Sequence, residues 1–116
     1  MLYSYQRHFR ICWPYRAEQP LNAMVLTDQL DIAYELVEIR TGDHANKPVC
    51  RSGKIPVGTV DAIRAEAEDI FARAFGADGE RKRANVTKLQ EATKMAWAEG
   101  GSSLRGINNF LDDIQA

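Results

Sequence analysis

The apolar and polar positions of this chain follow two periods, one short and strand-like, the other helical. Ile11-Cys12-Trp13 is a brief apolar run halted by Pro14, the pattern of a buried strand end. From Pro20 onward Leu21, Met24, Val25 and Asp28 recur on one helical face, and proline is tolerated in a first helical turn. Ile32 to Ile39 then alternates roughly as a strand. Residues 40–58 are punctuated by Gly42, Pro48, Gly53, Pro56 and Gly58, which predicts a loop. A loop of this length is usually functional or mobile.

Three helices are predicted beyond it. Thr59 is a good N-cap with Asp61 in the first turn, and Val60, Ile63, Ala67, Ile70 and Ala74 define a buried stripe. Gly76 and Gly79 end that helix. The next runs from about Glu80 to Ala98 with Val86, Leu89, Thr93, Ala96 and Trp97 inward, and stops at Gly100-Gly101. Ser102 or Ser103 caps the last, whose apolar stripe is Leu104, Ile107, Phe110, Leu111 and Ile114. Asp112 and Asp113 oppose the dipole at its C-terminus, so that end is expected to fray or dock. The order is strand, helix, strand, loop, three helices. Two short strands do not make a stable sheet alone, and parallel strands need covered faces. The pattern reads as the end of a larger domain.

Composition narrows the partners. At 116 residues, 45% hydrophobic and 27% charged, the chain is one ordinary globular domain or part of one. A net charge of −1 gives no electrostatic reason to expect nucleic acid or an anionic membrane. Cys12 and Cys50 match no metal-ligand spacing and read as reduced thiols. His8 and His44 form no cluster and read as surface residues, so no metal and no cofactor is expected. No apolar run reaches the ~18–20 residues that cross a bilayer. The N-terminus lacks a signal-peptide core. The expected address is cytoplasmic.

Most candidate chemistry dissolves into ordinary structure. Gly100-Gly101-Ser102-Ser103 lacks the spacing and lysine of a phosphate loop. Glu66, Glu68 and Asp69 read as a solvated helix face, Arg81-Lys82-Arg83 as a charged first turn, and Trp97 as core. Glu18-Gln19 differs. The pair precedes a helix start, where a carboxylate can accept two hydroxyl protons and the neighbouring amide can donate and accept. That chemistry suits adjacent sugar hydroxyls; a plain capping arrangement is the alternative.

Trp13-Pro14-x-x-Ala17-Glu18-Gln19-x-x-Asn22-Ala23, with Leu26-Thr27-Asp28 and Ala33-Tyr34-Glu35-Leu36, resembles the end of the donor-sugar signature of family 1 UDP-glycosyltransferases. Gly58 to Arg64, Lys82-Arg83-Ala84-Asn85 with Lys88-Leu89, and Glu99 to Ser103 leading to Phe110-Leu111 resemble the C-terminal helices of the soluble plant and fungal enzymes. The resemblance covers about residues 11–115.

It implies an α/β fold, the partial Rossmann-like C-terminal domain of a GT-B enzyme, mostly helical with two or three short parallel strands. Residues 1–10 do not match, and residues 11–116 form the C-terminal part of a nucleotide-sugar-binding domain. By the resemblance Glu18 and Gln19 bind the donor sugar, and Arg16 lies near its diphosphate or sugar. The parent enzyme transfers a sugar from a UDP-sugar to a small-molecule acceptor hydroxyl with inversion. The uracil-stacking tryptophan, the His-Cys-Gly-Trp-like run and the catalytic histidine of the family have no counterpart here. No catalytic residue is therefore expected in this chain, and the isolated chain is expected to be inactive and open to non-specific self-association.

Two other readings are open. Leu2-Tyr3-Ser4-Tyr5, Tyr34 to Val37 and Gly53-Lys54-Ile55-Pro56-Val57 resemble the thioredoxin-like domain of glutathione transferases, with Ser4 or Cys12 as the thiol-activating residue and a cis-proline before Val57. Pro14 and Pro20 interrupt the helix that fold needs. Alternatively, three amphipathic helices without their sheet make a non-catalytic interaction fragment.

Overall fold

A computed structural model describes residues 8–116, which divide into two compact units, His8–Asn85 and Val86–Ala116. The chain is mostly helical with two short parallel strands. Ser4 and its neighbours lie outside the described residues.

In the first unit, β1 (Arg10–Cys12) pairs in parallel with β2 (Ala33–Glu35), in the register Arg10 with Ala33, Ile11 with Tyr34, and Cys12 with Glu35. The Arg10 amide donates to the Ile32 carbonyl at 3.0 Å and the Leu36 amide to that of Cys12 at 2.8 Å. The alternation expected over Ile32 to Ile39 is replaced by continuous burial from Ile32 to Glu35. A parallel strand covered on both faces has no wet side to alternate with. β1 differs: Ile11 is exposed and Trp13 is 54% exposed, so this strand end is not the buried one its apolar run suggested.

α1 (Gln19–Met24) carries its proline in the first turn and continues as a π-helical turn over Val25–Gln29, closed by the Leu30 amide on the Val25 carbonyl at 2.9 Å. The wider turn rotates the faces away from the 3.6-residue expectation. Of the face shared by Leu21, Met24, Val25 and Asp28, Leu21 and Asp28 are exposed, and Ala23 is the buried residue.

α2 (Val60–Ala74) starts at Thr59, whose hydroxyl accepts the Ala62 amide at 3.2 Å. Its stripe runs through half-buried Ile63 and Ala67 to buried Ile70 and Ala74; Val60, in the first turn, is exposed. Tyr34, Ile70 and Ala74 form the core cluster, joined by Phe9, whose ring meets Tyr34 edge-on at 5.5 Å.

α3 (Ala77–Trp97) begins before Gly79, which was expected to terminate α2. A Cβ at Gly79 would lie 1.8 Å from the Ala74 carbonyl oxygen, so glycine here permits close approach of consecutive helices. Arg81-Lys82-Arg83 is not a merely solvated turn. Lys82 is only 4% exposed; its ammonium sits 2.6 Å from Asp31 Oδ1 and 4.6 Å from the Tyr34 ring centroid. Arg83 stacks over Phe9.

In the second unit α3 reaches Trp97, which is exposed rather than core, while Val86 and Gln90 are buried. α4 (Ser102–Gln115) is preceded by Gly101 as its N-cap, with no side-chain cap from either serine. A Cβ at Gly101 would fall 2.3 Å from the Met95 carbonyl oxygen, which explains a glycine where a serine was expected. The helix continues through Asp112 and Asp113 to Gln115 with Ile107, Phe110, Leu111 and Ile114 exposed.

Candidate functional site

The segment that leaves β1 carries all three sequence-assigned site residues. Pro14 is buried and ends the strand pairing, and Ala17 then takes φ 57°, the left-handed region that a residue with a Cβ seldom occupies. That reversal turns the chain into α1. The Gln19 amide donates to the Arg16 carbonyl at 3.3 Å, and the Asn22 amide to that of Glu18 at 3.0 Å.

Gln19 holds the turn from within. Its side-chain Oε1 accepts the Tyr15 amide at 2.8 Å and the Arg16 amide at 3.3 Å. An amide oxygen has two lone pairs, so its acceptor capacity is used. The role left to Gln19 toward a ligand is donation from its NH2 group, narrower than the donor-and-acceptor role its type suggested.

Glu18 occupies the N-cap position of α1 with helical angles, φ −76° and ψ −8°, and makes no side-chain cap. The capping arrangement weighed as the plain alternative is therefore absent, and its exposed carboxylate has no hydrogen-bond or ion-pair partner among the described residues. Arg16 is likewise exposed with its guanidinium unpaired. The turn thus presents an uncommitted acceptor, a donor and a cation within four residues, beside exposed Trp13 and Tyr15. His8 and His44 are exposed, as expected, and do not join it.

A second polar assembly lies in the same unit and was not anticipated. Glu66, read as part of a solvated face, accepts the Val37 and Glu38 amides at 2.8 and 2.9 Å. Buried Glu38 accepts those of Val57 and Gly58 at 2.8 and 3.0 Å, with Lys54 Nζ 3.4 Å away. The Gly58 amide, aided by Val57 and Lys54, holds the Glu38 carboxyl below the usual range against the opposing effect of burial. Buried Glu35 pairs with Arg40 and Arg51. Arg40, Arg51 and Lys54 of the 40–58 loop are thus committed to carboxylates, so the loop is fastened by three of its charges. Glu35, Glu38, Lys54 and Glu66 border a cleft of about 500 Å³ together with Asp69 and Arg73. Its carboxylates are all hydrogen-bonded within the chain.

A third cluster centres on Asp31, which takes φ 50°. Arg81 donates to it at 2.8 Å, Lys82 at 2.6 Å and Asn85 at 3.1 Å. Bonds from Arg81 and then Lys82 pull its carboxyl down to about 2. Nearby the Tyr34 hydroxyl donates to Asp78 at 2.6 Å, and burial followed by that acidic partner pushes the phenol up to about 12. The residues cue this cluster only as separate charges, since Asp31 and Arg81 lie far apart in sequence.

The glutathione-binding alternative finds no footing. Every peptide bond among the described residues is trans, including the one preceding Pro56, and α2 follows where that fold needs strands. Burial, then the charge of Glu35, raises the Cys12 thiol, opposite to thiolate activation. Among the described residues no helix is long and apolar enough to cross a membrane.

The chain is similar to UDP-glycosyltransferase eriJ of Hericium erinaceus, 33% identical over 107 residues, which cover 90% of this chain and 21% of that protein. It is 34% identical to a putative UDP-glucose flavonoid 3-O-glucosyltransferase 3 of Fragaria ananassa over 88% of this chain and 18% of the relative. With UDP-glycosyltransferase 71E1 of Stevia rebaudiana the identity is 33%, over 88% and 19%. The chain thus spans about a fifth of the length of the curated relatives it matches. No family model matches it, and no solved structure matches it significantly.

Proposed function

We propose, from the membership of this chain in the UDP-glycosyltransferase family, that its Tyr15–Gln19 turn grips the sugar of a UDP-sugar donor. Glu18 accepts from neighbouring hydroxyls of that sugar, and Gln19 donates to one through its NH2 group. Arg16 lies toward the sugar or the diphosphate, where its fixed positive charge offsets the negative charge of the leaving UDP. The observation that carries this reading is the uncommitted Glu18 carboxylate beside a Gln19 whose oxygen is engaged and whose NH2 remains to donate.

In this reading the complete enzyme moves the sugar to a small-molecule acceptor hydroxyl by direct displacement with inversion. The acceptor is deprotonated by a base that none of these residues supplies. Holding the sugar in register is the contribution of this segment, because fixed orientation removes several kcal/mol from such barriers. The two parallel strands and their helices are then part of a Rossmann-like nucleotide-sugar domain of a GT-B enzyme, working in the cytoplasm. The 116-residue chain by itself transfers no sugar.

A crystal structure of a complete enzyme carrying this segment, bound to UDP-glucose, tests the assignment. It predicts Glu18 carboxylate oxygens within about 3.2 Å of glucose hydroxyls. Glucose bound away from the turn contradicts it.

A further inference from the structure

We infer that Arg51 is a positioning residue for the donor-sugar turn, a role that rests on the sugar-binding reading above. It projects from the Val49–Lys54 turn, which is built for rigidity. Val49 is buried, its amide donates to the Lys54 carbonyl at 2.8 Å, and its own carbonyl accepts the Gly53 amide at 2.7 Å. Gly53 takes φ 68° there, a conformation that suits glycine.

From this turn the guanidinium reaches two elements at once. Nε lies 2.5 Å from Asp28 Oδ2, on the π-helical turn that continues α1, and Nη2 pairs with Glu35 on β2. The planar fork of arginine suits such a double engagement, which the single charge of lysine reproduces poorly. Burial opposes the charge on Arg51, but Glu35 and Asp28 together raise its affinity for the proton, so the cation is fixed. Lys54, on the same turn, lies 3.4 Å from Glu38 and 3.9 Å from Glu66.

The consequence reaches the site through the helix. Glu18 and Gln19 begin the helical stretch whose π-helical turn carries Asp28, so its orientation on β2 sets where their side chains lie. A short helix with an exposed Leu21 has modest apolar anchorage of its own. Arg51 ties its far end to the buried Glu35, whose side chain is 3% exposed.

Asp28→Asn, in a complete enzyme carrying this segment, isolates this link. The Asp28 side chain is 44% exposed, and the variant leaves Glu35 covered by both arginines, so folding is retained. Two readouts are combined: amide hydrogen exchange, and saturation transfer from the protein to the glucose protons of UDP-glucose. Asp28→Asn is expected to speed exchange of the Tyr15 and Arg16 amides at least tenfold, to leave residues 102–115 unchanged and to halve the saturation transfer. Asp28→Glu is expected to restore both. Wild-type exchange rates at Tyr15 and Arg16 in Asp28→Asn overturn the positioning role. So does undiminished saturation transfer. A wild-type complete enzyme that transfers no saturation to glucose overturns the sugar reading itself and the role built on it, a result distinct from the other two.

Discussion

The Gln19 side-chain oxygen lies 2.8 Å from the Tyr15 backbone nitrogen and accepts its proton, closing the turn that links β1 to α1. The bond divides Gln19 into an oxygen that serves the fold and a nitrogen that can serve a ligand. Two substitutions separate these roles. Gln19→Ala removes the closure and is expected to destabilise the chain by about 1 kcal/mol, the usual worth of such a bond. Gln19→Glu keeps an acceptor oxygen for both amides but loses the donor. Chemical denaturation should show Gln19→Glu near wild type and Gln19→Ala below it, while in a complete enzyme both raise the KM for UDP-sugar.

Gly79 sets how closely α3 follows α2. Since an added Cβ would overlap the Ala74 carbonyl, Gly79→Ala is expected to lower stability by about 2 kcal/mol, with a fall in Tm on the order of 10 °C. Gly106, with nothing within 4 Å of its would-be Cβ, is the control: Gly106→Ala should raise Tm slightly by improving helix propensity.

Glu66 fastens the chain just beyond β2 by accepting two successive amides. Glu66→Leu leaves both half-buried donors without partners and is expected to cost about 2–4 kcal/mol. Hydrogen exchange at Val37 and Glu38 should rise well above that at Ile70. Equal protection of all three in the variant contradicts the fastening role.

Acid should unfold the first unit through Asp31 and Glu38. Both carboxyls are held below their unfolded values, Asp31 at about 2, so each binds protons more weakly when folded. Their stabilisation is fully present above the unfolded carboxylate values of about 4 and is lost as pH falls through the folded ones. Denaturation midpoints should hold steady from pH 7 to about 5 and fall steeply between about 4 and 2. Asp31→Asn should flatten part of that fall.

Much of the secondary structure is legible in the residues, because Thr59, Pro20 and the stripe ending in Ile70 and Ala74 act locally. The limits are also physical. Gly79 looks like a helix stop because the need for contact with Ala74 exists only after folding. A 3.6-residue period puts Leu21 and Asp28 on one face with Met24 and Val25, and does not foresee the π-helical turn over Val25–Gln29. Trp97 falls in register with an apolar helix stripe and Trp13 in an apolar strand end, yet both are exposed. At the site, residue types pointed to Glu18 and Gln19 and the family resemblance to Arg16, but neither to the engagement of the Gln19 oxygen. Glu66 and Lys82 show the converse: charges expected on the surface are half-buried and buried, respectively, where a partner from a distant part of the chain meets them. Only Asp31, with three donors converging on it, makes Lys82 intelligible as an interior residue.

The central claim, that Glu18 orients the donor sugar, is tested most directly by kcat/KM for UDP-sugar in a complete enzyme carrying this segment, with and without Glu18→Ala. The side chain is exposed and unpaired, so the substitution leaves folding intact. Loss of its contacts is expected to lower kcat/KM by about 100-fold, the scale of a misplaced reactant. An unchanged kcat/KM in a folded Glu18→Ala enzyme would contradict the account.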